Sequence, residues 1–195
     1  MSNPITICSN ALMRLGAKPI ADFNESEGMG ANLDRAKLCA ALYPPTKLAI
    51  LREHYWNCTA RRVMLSPDQT PPAFGYAHRF MLPGDWLRTW GVGDTRYGQR
   101  LDYTIEGRYV LCDEVVLPLH YGADVPEEDW DTLLVDVMTA AMTARLAYPI
   151  TASTSVEEMK QAELQSLLRV ARAVDGQDTP PEQFGDSLLL RSRGR

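Results

Sequence analysis

The side chains able to do chemistry are spread along this chain of 195 residues and do not gather in one motif. The densest acidic stretch runs from Asp124 to Asp136 and includes Glu127, Glu128, Asp129 and Asp131. Glycoside hydrolysis uses paired carboxylates as acid and base, so a small cell-wall hydrolase is one reading. These acids also stand at the start of an apolar helical period, where negative charge meets the positive end of the helix dipole, and a solvated helix cap explains them. His54, His78 and His120, with Cys8, Cys39, Cys58 and Cys112, form no CxxC pair and no ligand-like spacing, so no metal is expected. There is no GxSxG elbow, and Gly28-Met29-Gly30 belongs to no GxxxxGK loop, so no catalytic residue and no cofactor is expected either.

Charge narrows the partners. The formal net charge is -5, whereas binding that neutralises many phosphates needs clustered Lys and Arg. Arg61-Arg62 beside Val63, and Arg88 between Trp86 and Trp90, carry the ingredients of base stacking, which keeps a DNA-binding accessory factor in view. Strand residues facing alternate sides explain the same pattern. The cysteines read as reduced, mostly buried thiols, with Cys8 on an apolar helix face. No segment reads as a membrane span, and MSNPITICSN has no basic region followed by an apolar stretch, so a protein made and kept in cytosol is expected.

The elements that must position these side chains fall into an α+β pattern. Asn3 as cap and Pro4 in the first turn predict a helix with Ile5, Cys8, Leu12 and Leu15 on one face, stopped at Gly16. A second helical pattern runs from Ala31 to Tyr55, and Pro44-Pro45 predicts a kink or two helices abutting at Tyr43. From Asn57 to Gly122 the period changes to that of strands. Tyr103, Ile105, Tyr109 and Leu111 read as the buried face of a hairpin around Glu106-Gly107, and a third strand follows at Val115 to Tyr121. Helical periodicity returns at Asp129, with Trp130, Leu133, Leu134, Val137, Met138 and Ala141 as a wide stripe, and ends near Tyr148-Pro149. Ser155 and Glu158 stand at capping-box spacing for a last helix, lined by Val156, Met159, Leu164, Leu167, Leu168 and Ala171 and closed at Asp175-Gly176.

The expected design is a helical bundle from 1–56 and 123–176, a small antiparallel β domain inserted at 57–122, and a C-terminal arm at 177–195. The arm combines Pro180-Pro181 with the apolar residues Phe184, Leu188, Leu189 and Leu190 and then Arg191, Arg193 and Arg195. That composition suits a segment that orders by docking on a partner.

The order of these pieces resembles the tail tubular protein A family of phage head-to-tail adaptors. ALMRLGAKPI with its acidic loop, and ALYPPTKLAILREHYWNCTARR, resemble the family's opening helices and the turn into its first strand. Ala73-Phe74-Gly75-Tyr76 and the turn made by Leu82, Pro83, Asp85, Leu87 and Arg88 in LPGDWLR are similar to the family's aromatic strand and signature turn. YTIEGRYVLCD with LPLHY, then DWDTLLVDVMTAAMTARLAYPITASTSVEEMKQ, resemble its hairpin and final helices, so the likeness spans about Asn10 to Gln165. Tyr55 stands where the family often has a proline before the tryptophan, and the arm is unmatched.

The resemblance implies a non-enzymatic structural protein of the virion: a ring of twelve copies between the portal protein and the tail tube or nozzle protein. DNA passes through its lumen without specific binding. It also implies assembly in the host bacterial cytoplasm and no membrane. The portal is then the expected partner for Phe184, Leu188, Leu189, Leu190, Arg191, Arg193 and Arg195.

Overall fold

A computed structural model describes residues 3–24, 34–94 and 101–178, and the chain is mixed α+β, with four helices and two small antiparallel sheets among them. The described residues form two compact units: one from 58 and before together with 124–176, the other from 59–123.

In the first unit, helix α1 (Pro4–Arg14) starts as its sequence dictates, with Asn3 accepting from the Thr6 amide at 2.8 Å. Gly16, at φ +76, turns the chain out of it. The buried residues are Ile7, Cys8, Ser9, Ala11 and Leu12, so the packed face is centred one residue away from the Ile5–Leu15 row that periodicity suggests. Ser9 explains its own burial: its hydroxyl donates to the Ile20 carbonyl at 2.8 Å and accepts the Ile20 amide at 3.2 Å.

Helix α2 (Arg35–Glu53) is capped by Asp34 and runs through Pro44 and Pro45 as one element, so of the two expectations at Tyr43, a kink or two abutting helices, the second does not hold. Each proline removes a donor to the carbonyl four residues back. Both are exposed, so water can serve those carbonyls, while the buried neighbours Tyr43 and Thr46 carry the packing. The Thr46 hydroxyl also donates to the Leu42 carbonyl. The expected start at Ala31 lies outside the described residues.

The middle of helix α3 (Thr132–Thr151) is buried on every side. Residues 137–144 are buried without a break over more than two turns, and α1 and α2 pack against it. This corrects two expectations. The apolar surface is not a stripe, and by length and composition α3 is one helix apolar enough to cross a membrane, with 61% of its most apolar window buried inside the unit. It also begins later than Asp129: Glu127–Asp129 is a short 3-10 turn, Trp130 precedes the helix, and Asp131 is the cap, accepting from the Leu134 amide at 2.7 Å. It passes through exposed Pro149 and stops at Ala152, whose φ of 52 is left-handed.

Helix α4 (Thr154–Asp178) is capped by Ser153, which accepts from the Val156 amide at 3.4 Å, so the expected Ser155–Glu158 box is not its cap. It continues past Gly176, and its buried row is Leu164, Leu168, Ala171 and Asp175, with Met159 exposed.

The second unit holds the strands β1 (Ala60–Leu65), β2 (His78–Met81), β3 (Trp86–Val92), β4 (Tyr103–Glu106), β5 (Tyr109–Cys112) and β6 (Leu117–Ala123). One sheet has the order β1-β6-β3, the other β2-β5-β4, and all pairs are antiparallel. The β4–β5 hairpin closes through Gly107-Arg108, with Gly107 at φ +57, where glycine suits the first position of a two-residue turn. That turn sets side-chain parity against the expected one. Tyr103 and Ile105 share a face with Cys112 and Val110, while Tyr109 and Leu111 lie on the other face with Glu106 and Thr104. All of β4 is exposed, and the buried residues of this sheet are Phe80, Val110, Leu111 and Cys112, with Leu111 on the face opposite the other three. The strand expected at Val115 to Tyr121 begins at Leu117 and is the centre of the other sheet, with Leu117, Leu119 and Tyr121 buried.

Gly122, on that central strand, has no room for a side chain: a Cβ there would meet Trp90 Nε1 at 2.8 Å and Cε2 at 3.3 Å. Gly122→Ala is expected to destabilise the chain by about 1–3 kcal/mol through overpacking. Gly84→Ala, with nothing within 4 Å, should be near neutral. Urea unfolding of both variants compares them directly.

Candidate functional site

The LPGDW turn is the passage between the two sheets of the second unit, because β2 ends one side of it and β3 begins the other. Leu82 is buried, and its amide donates to the Arg108 carbonyl at 2.9 Å. Arg108, on the hairpin turn, returns the contact: its Nη2 donates to the Leu82 carbonyl at 3.3 Å and to the Pro83 carbonyl at 2.6 Å. The Trp86 amide closes the turn onto the Pro83 carbonyl at 3.2 Å. Asp85 is held by the Tyr121 hydroxyl at 3.2 Å, and burial with the nearby Asp85 charge raises that phenol above its usual value. Leu87 and Arg88 are half-buried in β3, with a register shift between Trp86 and Arg88. Arg108 and Tyr121, which the sequence reading did not single out, hold Leu82, Pro83 and Asp85 of this turn, while Leu87 and Arg88 lie beyond it in β3. The signal for Tyr121 was its place in an alternating apolar strand. Arg108 had none beyond following a turn glycine.

Phe74, next to that region in the chain, is 88% exposed. The loop that carries it is fastened on both sides. Asp68 accepts from Arg79 Nε at 3.0 Å, the Asp68 amide donates to the Arg79 carbonyl at 2.8 Å, and the Ala77 amide donates to Asp113 at 2.8 Å. Arg79 in turn lies 4.6 Å over the Tyr109 ring. A groove of about 380 Å³ lies there, lined among others by Pro71, Pro72, Arg79 and Tyr109.

The acidic stretch is the solvated cap that its position suggested only in part: Glu128, Asp129 and Asp131 are exposed and Asp131 caps α3, while Glu127 is half-buried. Lys47 meets Asp124 at 3.0 Å and Glu127 at 3.4 Å and sits 5.7 Å from the Trp130 ring, while the Tyr43 hydroxyl donates to Glu127 at 3.0 Å. Burial, then Glu127, pushes the Tyr43 phenol far up. Glu127 is thus committed to a cation and a phenol, and Asp131 to capping α3.

A second polar cluster was missed by sequence reasoning. Asp175, 8% exposed, accepts from the Asn57 amide at 3.1 Å, its carbonyl accepts from Asn57 Nδ2 at 2.6 Å, and its carboxylate lies 3.3 Å from His54 Nε2. His54 is edge-on to Trp56 at 4.8 Å, and the Trp56 indole donates to the Ile50 carbonyl at 2.9 Å. Cys58 stands near Asp131 and Asp175, and burial and then those carboxylates push its thiol up to about 11. A thiol so placed stays protonated at neutral pH and is a poor nucleophile. The available signal was an acid in the i, i+4, i+7, i+11 apolar row of α4.

Cys8, Cys39 and Cys112 are buried, and all four cysteines are free. The neighbouring Cys39 thiol and burial push Cys8 far up. Among the described residues no group of three or more His, Cys, Asp or Glu is arranged to hold a metal ion. Arg61 and Arg62 face opposite sides of β1, opposite Tyr121 and His120. Trp86 donates to Thr89 at 3.0 Å and Trp90 is in T-shaped contact with His120 at 4.9 Å. Phe184, Leu188, Leu189, Leu190, Arg191, Arg193 and Arg195 lie outside the described residues. No protein-family model matches the chain, and no curated protein matches it.

Burial raises the Asp175 pKa, more than His54 and Asn57 lower it. A carboxyl raised in the folded state contributes most below its unfolded value, and that contribution is lost as pH rises through the folded one. Asp175→Asn has no such loss. Its urea midpoint should therefore gain on wild type as pH climbs from below the ordinary carboxylate range, then hold constant above the raised pKa.

Proposed function

We propose that the chain is a structural head-to-tail adaptor of a tailed bacteriophage and not an enzyme. In this reading twelve copies form a ring between the portal protein and the tail tube or nozzle protein, and DNA passes through the lumen during ejection. The four helices serve as the ring-building bundle, the strands between α2 and α3 as an inserted β domain towards the tail, and 177–195 as an arm to the portal.

The observation that carries the reading is the LPGDWLR stretch. Its resemblance to the adaptor signature turn is the most specific in the chain, and its polar groups are spent on internal hydrogen bonds to Arg108 and Tyr121. A turn whose charged residues fix two sheets together serves architecture. The acid-rich segment supports the same side, since Glu127 is paired with Lys47 and Tyr43 and is not left as a free acid beside a second one.

A net charge of -5 suits a conduit, because a negative lumen repels phosphates and lets DNA slide, whereas a basic one holds it. A closed ring also hides apolar surface between identical neighbours while each subunit keeps its own core. The virion head-to-tail junction is the proposed location, reached by assembly in the host cytoplasm.

Mixing the purified chain with its portal and counting subunits by electron microscopy tests the reading: a ring of twelve is expected, and no ring would sink it. Deleting 177–195 should abolish portal binding while leaving the fold intact by circular dichroism. Unchanged binding would remove the arm from the interface.

A further inference from the structure

The groove of the β unit is a built feature with apolar walls. Pro71 and Pro72 stand on its loop side, Tyr109 and Leu111 on its sheet side, and Glu106 also lines it. Tyr109 and Leu111 lie on the face of the sheet away from Phe80, Val110 and Cys112, in cross-strand rows with Met81 and Arg79. The loop is tied over that face by Asp68 on Arg79, by the Ala77 amide on Asp113 and by Tyr76 on Thr104 at 3.2 Å. It covers the face only in part, because Met81 and the neighbouring Phe74 stay exposed.

The charge left over at this groove is negative. Arg79 is spent on Asp68 and on the Tyr109 ring. Glu106 has no ion pair among the described residues, and exposed Asp102 lies just before the same strand. An occupant that fits is apolar with a basic end, and residues 179–195 have that composition. Phe184, Leu188, Leu189 and Leu190 are too few for a core of their own, and Arg191, Arg193 and Arg195 follow them.

The arm also starts in the right place. Helix α4 ends at Asp178, and Asp175 is hydrogen-bonded to Asn57, three residues before β1 begins at Ala60. Residues 179–195 therefore set out close to where the chain enters the β unit. Extended, they reach about 56 Å, whereas a compact unit the size of 59–123 is roughly 30 Å across.

We propose that in the free chain the arm lies in the groove of its own β unit. Leu188 to Leu190 fill the space between Pro71-Pro72 and Tyr109, Phe184 lies on the Phe74 side, and the three arginines meet Glu106 and Asp102. Tethering holds the arm at an effective concentration on the order of millimolar, so a modest patch suffices. The apolar residues offered to the portal are then covered until the portal competes for them. Only that competition rests on the adaptor reading, and the contact itself is measurable on the chain alone.

The test is photo-crosslinking of the full chain with a benzophenone amino acid in place of Leu189, mapped by mass spectrometry. Attachment to 71–73 and 109–111 of the same chain is expected, with a yield independent of concentration. Pro71→Glu sets a charge in the apolar wall and should cut that yield on the order of tenfold. Glu106→Arg should cut it about two- to fivefold, and reversing Arg191, Arg193 and Arg195 to Glu in that background should restore it. Pro71 and Glu106 are both exposed, so the thermal unfolding midpoints should not move. Adding portal should shift the cross-links from the groove to the portal.

Cross-links scattered over the helical unit, cross-links only between copies, or a yield indifferent to Pro71→Glu and Glu106→Arg would each overturn the proposal. Groove cross-links that persist on a portal-bound chain would overturn the competition. Portal binding by a chain without groove cross-links removes this proposal and leaves the adaptor reading, while groove cross-links without portal binding do the reverse.

Discussion

The middle of helix α3 needs cover on every side, and the architecture of the helical unit follows from that need. An element with residues 137–144 buried throughout cannot lie on a surface. α1 and α2 supply two walls, and the buried threonines of α3 remove their own polar cost, since Thr139 and Thr143 donate to the Val135 and Thr139 carbonyls at 2.8 Å. The strands are inserted into the chain just before this helix. Within the helical unit, the segment that leads into α3 is secured by Lys47 gripping Asp124 and Glu127, and by Asp131 capping the first turn.

The two polar clusters of this unit do different work. Around Lys47 a largely buried cation is held by two carboxylates and an aromatic face, so removing one carboxylate still leaves the cation a partner, whereas removing Lys47 leaves two like charges side by side. Around Asp175 the balance is looser, because its partners are an amide, a carboxamide and a histidine, and Asp131 adds like charge. That cluster ties the last turns of α4 to the segment leaving α2, and Arg172 on Glu53 reinforces it one turn earlier.

Much of the helical frame was legible, because caps and stops are local. Asn3, Pro4 and Gly16 set α1, and the apolar run after Asp131 set α3. The prolines left two abutting helices open as a reading, because a proline both frees a carbonyl and crowds the preceding turn, and the exposure that lets water serve the freed carbonyls is not written in the local sequence. The hairpin misled for a different reason. Alternation told which residues could share a face, but turn length decides which do, and Gly107-Arg108 put Ile105 with Val110 rather than with Tyr109. Asp175 was illegible as a buried group because its partners come from 118 positions away. The signature turn was seen as a turn, while the arginine and tyrosine that hold it were not.

The Arg108 clamp makes the two sheets of the β unit mechanically dependent on each other. A load applied at the hairpin tip does not have to travel along the chain. It can pass from the guanidinium to the Leu82 and Pro83 carbonyls, through one short turn to Asp85, and onto Tyr121 at the centre of the other sheet. Those links are a few hydrogen bonds in series, stiff under small displacement and separable under large. The hairpin is thus a lever with a fuse at its base.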